Sequence, residues 1–279
     1  MNIREQNYKG WQSLLITNGA MELVAPLDVG IRLLHLGLTV DRSNCLFERE
    51  MDAGKRNSTE WLLYGGHRLW IAPEDEVQSY IPDNSPITYS RIADAVRLSE
   101  PVALNGLQKE IELLFESENR LRVLHRVNNR SNLEQKISLW PITAFAGGVA
   151  TLPLPINRRP LNAAGAIVLW PYTKMDDPRI SYNHNSHNVK IEQRGETQPL
   201  KIGLAHAEPG VISLDWTRGS LRFRKSFERQ AGTYPDFGSC IECYTNHELI
   251  ELETLSPETK CAPGACVEHT EIWEIWREV

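Results

Sequence analysis

The segment 241–254 constrains the fold of this chain most, because apolar and polar residues alternate along it with a period of two. This pattern predicts two β-strands, each with one buried face. The polar residues 246–248 lie between the two strands and can turn the chain into a hairpin. We therefore expect one face of this hairpin to pack on a hydrophobic core and the other to carry only polar groups.

The polar face of the predicted hairpin carries three carboxylates and a phenol. With a four-residue loop, Glu242 lies opposite Glu253, and Tyr244 lies opposite Glu251. Like charges directly opposite each other destabilise a strand pair, so a sheet that keeps them is expected to use them. In a concave site, neighbouring carboxylates raise one another's pKa, which suits one of them for general acid or base catalysis. A solvated sheet face is the structural alternative.

The rest of the chain also predicts strands and few helices. Residues 14–23 indicate a hairpin on a type I′ turn at Asn18-Gly19, with Ile16 opposite Met21. Further strand patterns recur as far as residue 276, whereas no long stretch has a helical period, and no GxGxxG, P-loop or GxSxG motif occurs. The sequence therefore predicts an all-β fold, a large antiparallel sandwich of two extended sheets in a single domain over residues 1–279.

The charge and the cysteine content limit which partners the protein is expected to bind and which cellular compartment it is expected to occupy. The chain has 30 basic and 36 acidic residues and no basic tract, so nucleic acid is not an expected partner. No apolar run approaches the ~20 residues of a membrane span, and residues 1–11 lack the apolar region of a signal peptide. Five cysteines, an odd number, favour reduced thiols in the cytoplasm. Cys240 and Cys243 would point to opposite faces of a strand, so we predict no metal site there.

The segment 61–76, WLLYGGHRLWIAPEDE, contains a second group of functional residue types. Its two glycines allow an unusual backbone path. The residues that make it a candidate site are His67, Arg68, Trp70 and Glu74. A loop with these residue types is a candidate binding or catalytic loop. The structural alternative is a loop held in place by an arginine–carboxylate pair.

Seven segments together resemble a known family. They are GGHRLWIAPE (65–74), LWPITAFAGGVATLPLP (139–155), LWPYTKMDDPR (169–179), YPDFG (234–238), ECYTN (242–246), ELETLSP (251–257) and the final APG…HTEIW. In this order they resemble the bacterial family DUF4380, and the chain looks like a member of the galactose mutarotase-like superfamily. The resemblance implies a β-supersandwich with a carbohydrate-sized groove on a concave face, and a small-molecule sugar as the partner.

The resemblance to the aldose 1-epimerases of that superfamily implies catalytic roles. Their glutamate base lies on a late strand shortly before a Pro-Gly turn, a pattern that Glu253 and the turn at Pro263-Gly264 match. Glu253 is therefore the expected base, and Glu251 is the second candidate. The strand around Trp140 lacks the histidine acid of those enzymes, and His67 is the candidate that replaces it. Such a reaction needs a paired acid and base and no cofactor.

The remaining expectations concern the sugar. Trp70 is the expected stacking platform. The other residues expected to line the groove are Arg68, Glu74, Arg179, Tyr234, Asp236, Glu242 and Tyr244. The leading prediction is an enzyme of mutarotase or epimerase type. The alternatives are a non-catalytic carbohydrate-binding protein and a sugar-cleaving hydrolase or lyase. The sugar, its charge and the number of subunits stay open.

Overall fold

The computed structural model describes residues 1–156 and 161–278. The strands are β1 (Asn2–Tyr8), β2 (Trp11–Thr17), β3 (Met21–Pro26), β4 (His35–Leu38), β5 (His67–Ala72), β6 (Thr88–Ile92), β7 (Ala95–Ser99), β8 (Leu107–Ser117), β9 (Arg120–Asn129), β10 (Gln135–Phe145), β11 (Val149–Pro153), β12 (Gly165–Leu169), β13 (Ile180–Asn183), β14 (Asn188–Glu192), β15 (Leu200–His206), β16 (Gly210–Arg218), β17 (Leu221–Arg229), β18 (Ile241–Thr245), β19 (Ile250–Thr254), β20 (Thr259–Cys261) and β21 (Cys266–Arg277). The helical segments are a 3-10 turn, Glu50–Asp52, and α1, Pro235–Gly238.

Across these described ranges the strands form antiparallel sheets of four, seven and ten strands. The four-stranded sheet has the order β1-β2-β3-β4, and the ten-stranded sheet has the order β13-β14-β11-β16-β17-β21-β9-β8-β7-β6. In the seven-stranded sheet the order is β12-β15-β18-β19-β10-β20, and β5 also pairs with β10. The prediction of an all-β fold with large antiparallel sheets is confirmed.

The main hydrophobic core contains residues of both large sheets. Phe145 of β10 stacks on Trp216 of β16 with 4.6 Å between ring centroids, and Phe145 also contacts Phe223 of β17. Leu252 of β19 belongs to the same core and is fully buried. Burying each such side chain stabilises the fold by about 1.5–3 kcal/mol. Because side chains alternate along a strand, the other face of the seven-stranded sheet points away from this core.

The hairpin of β18 and β19 has the predicted register. Glu242 pairs with Glu253 and Tyr244 with Glu251. The Asn246 side chain closes the loop, because its Oδ1 atom accepts hydrogen bonds from two backbone amides of the loop at 2.8 and 3.1 Å. The prediction that one face of this hairpin carries the three glutamates is therefore confirmed.

The hairpin of β2 and β3 has a different register from the predicted one. Ile16 pairs with Leu23, two residues further along than the expected Met21. The side chain of Asn18 explains the wider loop, because its Oδ1 atom accepts hydrogen bonds from the amides of Ala20 and Met21 at 2.9 and 2.8 Å. An asparagine that bonds the backbone in this way stabilises an open loop in place of a two-residue turn.

A search of the described residues found no helix with the length and apolar character that crossing a membrane requires.

Candidate functional site

The face of the seven-stranded sheet that points away from the core carries a group of buried charged residues. Residues directly opposite each other in an antiparallel pair point to the same face. Ile142 of β10 lies opposite both Glu253 of β19 and Arg68 of β5, so these side chains share one face. We name the charged residues on or against this face the carboxylate cluster: Arg68, Lys201, Asp236, Glu242, Glu251 and Glu253.

Lys201 of β15 connects two of the glutamates. Its Nζ atom lies 2.8 Å from Oε2 of Glu242 and 3.1 Å from Oε2 of Glu253. The ammonium group also lies 4.4 Å from the ring centroid of Trp140 and 4.7 Å from that of Trp170, which adds cation–π stabilisation. Burial alone would lower the pKa of Lys201, but Glu253 and Glu242 raise it above its usual value. Lys201 is therefore a fixed positive charge in this site.

Glu253 is fully buried and is held through one of its oxygens. Oε2 accepts hydrogen bonds from Nε1 of Trp140 at 2.6 Å and from Nζ of Lys201 at 3.1 Å. Oε1 has no hydrogen-bond partner within the described part of the chain. A buried polar atom without a partner is costly, and in a native protein it calls for a functional explanation. This oxygen therefore has unused hydrogen-bonding capacity.

Glu251 is paired with Arg68. Nη1 of Arg68 donates to Oε1 of Glu251 at 3.0 Å, and the guanidinium lies 4.7 Å from the ring centroid of Trp70. Burial raises the pKa of Glu251 above its usual value in spite of this arginine, and Glu253 adds to the increase. The pair therefore neutralises one carboxylate and fixes it at the edge of the cluster.

Asp236 of α1 lies close enough to Glu242 of β18 for their carboxyl groups to affect each other's pKa. Burial raises the pKa of Glu242 well above its usual value, against the effect of Lys201, and the charges of Glu253 and Asp236 add to the increase. Burial also raises the pKa of Asp236. Both carboxyl groups therefore bind a proton more readily than an exposed carboxyl group does.

The short α1 segment has backbone strain where it holds Asp236. Asp236 and Phe237 have φ of 49° and 57°, in the left-handed region that residues with a Cβ seldom adopt. Each such residue costs roughly 1 kcal/mol or more, and strain of this kind concentrates at functional sites. Phe237 is 93% exposed, so packing of its side chain does not offset the strain. The segment holds a carboxyl group in the cluster at an energetic cost.

The carboxylate cluster has more acids than bases. In the ranges that the structure describes it contains Asp236, Glu242 and two further glutamates, against Arg68 and Lys201. The side chain of Glu74 lies close enough to affect the pKa of Asp236 as well. The excess of negative charge in a buried place is relieved when protons stay bound, and such groups are suited to proton transfer.

His67, the predicted acid, lies on the other face of the sheet. Its ring is fully buried between the sheets, where Nδ1 lies 2.9 Å from Oγ1 of Thr143 and Nε2 lies 2.9 Å from Nε2 of His125. The next residue along β5, Arg68, points to the carboxylate cluster, so strand alternation turns His67 away from Glu253. The interpretation of His67 as the partner of Glu253 does not fit this geometry.

Trp70 does not offer the free aromatic face that was expected. It is only 5% exposed, and the rings of Trp61, Tyr80 and Trp140 pack against it with centroids 5.3–5.5 Å away. A sugar needs an open face on which to stack. Tyr80, which is 41% exposed and donates its hydroxyl proton to Glu74, is the accessible ring of this aromatic group.

Two other predicted groove residues have local structural partners. Arg179 binds Asp177 at 2.8 Å and the backbone oxygen of Gln198 at 2.9 Å. The hydroxyl of Tyr234 donates to the backbone oxygen of Gln230 at 3.0 Å. The structure therefore brings neither side chain into the carboxylate cluster. Tyr244, by contrast, lies on the cluster face opposite Glu251, as its register requires.

The sequence interpretation missed three residues next to the cluster, Lys201, Trp170 and Tyr172. Lys201 alternates with Leu200 and Ile202, which are buried in the core, so its position on the polar face of a strand was readable. The sequence carries no signal that pairs β15 with β18, however, and the lysine could not be assigned to the glutamates. Burial raises the pKa of Tyr172, with Lys201 opposing, so this phenol stays protonated near the cluster.

A second buried polar group lies between the two large sheets. We name it the inter-sheet cluster: His67, His125, Thr143, Lys225, Thr254, His269, Glu271 and Trp273. Potential ligand atoms of His67, His125 and Glu271 lie within 4.8 Å of one another, a spacing that could hold a metal ion. Those atoms already bond within the protein, because the two histidines share a hydrogen bond and Lys225 lies 2.9 Å from Glu271. We therefore interpret the group as a hydrogen-bond network.

Comparison with known proteins identifies the fold. No protein-family model matches the chain, and no curated protein matches it in sequence. Among solved structures, it is similar to a galactose mutarotase-like protein from Lactobacillus casei ATCC 334, with a TM-score of 0.56 and 14% identity over 95% of this chain and 100% of the other. A galactose mutarotase-like protein from Clostridium acetobutylicum matches with a TM-score of 0.56 and 12% identity over 99% of each chain. A candidate aldose 1-epimerase from Escherichia coli K12 matches with a TM-score of 0.58 and 9% identity over 99% of this chain and 100% of the other. The chain therefore has the galactose mutarotase-like fold.

Proposed function

We propose that this protein is an enzyme of mutarotase or aldose-epimerase type that moves protons on a sugar. The observation that supports it is the Oε1 atom of Glu253, which has no hydrogen-bond partner among the described residues and lies in a cluster with Asp236 and Glu242, two carboxyl groups whose pKa is raised. A base and an acid side by side are what opening of a sugar ring requires. Solved structures with this fold are described as mutarotase-like proteins and as an aldose 1-epimerase candidate, which makes a sugar the proposed substrate.

The reaction uses one base and one acid. Glu253 Oε1 takes the proton of the anomeric hydroxyl while the pair of Asp236 and Glu242 gives a proton to the ring oxygen. The bond between C1 and the ring oxygen breaks, its electron pair stays on that oxygen, and C1 becomes a carbonyl carbon. Rotation about the C1–C2 bond and closure from the other face, with both proton transfers reversed, give the other anomer. Lys201 and Trp140 hold the second oxygen of Glu253 and so fix its direction.

The charge of the site favours an uncharged sugar. The four arginines that could have bound a phosphate or carboxylate each have an acidic partner, since Arg68 pairs with Glu251, Arg179 with Asp177, Arg222 with Glu278 and Arg224 with Asp215. A sugar phosphate would also be repelled by the excess of carboxylates in the cluster. We therefore propose a neutral aldose.

Exchange between anomers, followed by NMR, tests the proposal. Purified protein is added to a panel of neutral aldoses, uronic acids and hexose phosphates, and saturation transfer between the α and β anomeric protons is measured. We expect exchange above the spontaneous rate for a neutral aldose. Glu253→Gln should lower it by about 10²–10⁴-fold, the usual contribution of a general base. The matched control is Glu134→Gln, which changes an exposed glutamate. Full activity in a folded Glu253→Gln protein would refute the role of this residue.

A non-catalytic sugar-binding protein is the second candidate. The observation that favours it is the complete burial of Glu242 and Glu253, which lets both carboxylates act as structural partners of Lys201. The same NMR panel separates the two functions. Line broadening of a sugar without exchange between its anomers would support the binding protein over the enzyme.

We also propose that the chain belongs to the DUF4380 family and works in the cytoplasm as a single domain. The seven matching segments support the family. Free thiols support the compartment, because Cys45, Cys240, Cys243, Cys261 and Cys266 are all unpaired by disulfides in the structure, which describes each of them.

A further inference from the structure

Arg229 occupies an unusual place at the end of β17. Side chains along this strand alternate between core and surface, and Phe223, Lys225 and Phe227 are the buried ones. Arg229 continues this inward register and is only 8% exposed. An arginine cannot lose its charge in a protein, so the chain places a permanent cation at the edge of its core.

Arg229 also differs from the other buried arginines. Among residues 1–156 and 161–278, buried arginines other than Arg229 have a carboxylate at 2.8–3.0 Å: Arg32 has Asp83, Arg68 has Glu251 and Arg179 has Asp177. Within the same ranges, the guanidinium of Arg229 has no acidic partner. Its Nε atom has no hydrogen-bond partner, and the same holds for Nε of Arg32 and Arg68, so the missing carboxylate is what distinguishes Arg229.

The contacts that Arg229 does make are neutral. Nη1 donates to the backbone oxygen of Gln230 at 3.2 Å, and the guanidinium lies 5.1 Å from the ring centroid of Tyr234. The neighbouring Cys240 is neutral, because burial raises the pKa of its thiol. His206 adds no second charge near pH 7, since burial lowers its pKa to about 4. A largely buried charge without a counter-ion is unfavourable, so this position calls for an anion.

An open dish of about 510 Å³ borders Arg229. Most of its other lining residues are small or apolar: Gly165, Ala166, Ala205, Ala207, Gly232, Phe237 and Gly238. Phe237 stands at its rim, almost fully exposed and in the strained conformation described above. One cation beside an apolar surface fits a ligand with one negative charge and an apolar body.

We propose that this dish binds a small organic carboxylate. The guanidinium of Arg229 would bind the carboxylate through a charge-assisted hydrogen bond. The apolar part of the ligand would lie against Phe237 and the alanines. The dish and the carboxylate cluster both use α1, because Phe237 follows Asp236, but the test of the dish depends on binding alone and not on the proposed enzymatic activity.

Sodium benzoate is the probe for this site, with benzyl alcohol as the neutral analogue and inorganic phosphate as an anion without an apolar body. All are added at equal ionic strength, with sodium chloride as the balance. We expect benzoate to raise Tm in a concentration-dependent way, because a ligand that binds only the folded state stabilises it. Benzyl alcohol and phosphate should raise Tm much less. Equal stabilisation by benzyl alcohol, or by phosphate, would overturn the proposal.

Substitution of the arginine gives the second test. Arg229→Gln should weaken benzoate binding, measured by calorimetry, by about tenfold or more, the usual effect of losing a charged hydrogen bond. The matched control is Arg224→Gln on the same strand, which changes an arginine paired with Asp215 and should bind benzoate as the wild type does. Unchanged binding by Arg229→Gln would refute the site. If that variant does not fold, benzoate-dependent shifts of the Ala166 and Ala205 methyl signals in the wild type decide: shifts support the site, and their absence refutes it.

Discussion

Lys201 and Lys225 are both buried, and both meet glutamates, but their surroundings differ. Lys201, in the carboxylate cluster, has two carboxylates and a raised pKa. Lys225, in the inter-sheet cluster, lies 2.9 Å from Glu271, and burial lowers its pKa in spite of that partner. Lys201 therefore pairs with two glutamates, whereas Lys225 pairs with one.

The two clusters therefore differ in how completely their buried polar atoms are hydrogen-bonded. In the inter-sheet cluster Glu271 accepts from Lys225, Thr254 and Trp273, so both of its oxygens are used. In the carboxylate cluster, Oε1 of Glu253 has no partner among the described residues. A fully bonded buried network fixes the packing of the sheets, whereas an unsatisfied network is ready for a ligand. Both clusters are buried, so burial alone does not identify the site; among the described residues, Glu253 differs from Glu271 in having an unused carboxylate oxygen.

The largest effect on stability is expected at Glu271. Burial would raise the pKa of Glu271, but Lys225 holds it far below its usual range. Glu271→Gln leaves Lys225 buried without a counter-charge and should lower the free energy of unfolding by about 3–5 kcal/mol. The contribution of Glu271 is present above its unfolded pKa near 4.5 and is lost only as the pH falls through the lower folded value. Urea denaturation of wild type and variant at pH 7 measures the first effect, and denaturation at a series of pH values from 4 downward follows the loss.

The control for this prediction is Glu274→Gln on the same strand. Glu274 is partly exposed and pairs with Arg120 at 3.2 Å, so its loss should cost no more than about 1 kcal/mol. Equal destabilisation by the two variants would show that the buried pair of Lys225 and Glu271 contributes no more to stability than the exposed pair of Arg120 and Glu274.

An intermediate effect is expected at His67. The ring bonds to Thr143 and His125 in the inter-sheet cluster, so His67→Asn should lower the free energy of unfolding by about 1–3 kcal/mol. If the protein is an epimerase, the pH profile of kcat should stay that of the wild type in this variant. Asp236→Asn, which removes a carboxyl group with a raised pKa, should alter the profile.

These kinetics separate the two clusters. The NMR exchange rate of each variant is measured from pH 5 to pH 9, with folding checked by circular dichroism. A His67→Asn protein that is folded, stable and inactive would restore His67 as the acid and would contradict the assignment to the inter-sheet cluster.

The smallest effect, and one of opposite sign, is expected at Glu242. Its folded pKa is raised, so the stability that its carboxyl group contributes is present below its unfolded pKa near 4.5 and is lost as the pH rises through the raised folded value. Glu242→Gln should therefore stabilise the protein at pH 8 by about 1 kcal/mol and should have little effect at pH 4. Denaturation curves at the two pH values measure it. At each pH the stability of the variant is compared with that of the wild type. If Glu242→Gln destabilises the protein more at pH 8 than at pH 4, the raised pKa is contradicted.

Local sequence pattern was enough to predict the hairpin that carries the glutamates. The alternation from Ile241 to Thr254 assigned its two faces, and the loop at Asn246 fixed its register. The same reasoning failed by two residues at Asn18, because the side chain of that residue, and not its φ preference, determines the loop. The type of turn sets the register of a hairpin, and asparagine can form more than one type of turn.

The sequence predicted the cluster residues of that hairpin and also Arg68 and Asp236, but it did not predict the partners of Glu253. Lys201 is 52 residues away in sequence from Glu253, and Trp140 is 113 residues away, yet both bond to it. Strand order brings them together, and strand order depends on packing of the whole chain. His67 shows the reverse case, since one step along β5 separates it from Arg68 and places it on the other face. Both faces of β5 are buried, and which of them meets the ten-stranded sheet follows from its partner β10 and not from its own mixed sequence.

Strand β10 pairs with β5 on one side and with β19 and β20, more than a hundred residues later, on the other. Likewise β9 pairs with β21 near the end of the described chain. Both large sheets therefore pair early strands with strands far along the chain. Folds dominated by such distant pairings form slowly, and their unfinished sheet edges stay exposed in the meantime. During synthesis the β10 edge stays open until the glutamate hairpin emerges, so the hairpin that brings the site together also covers that edge.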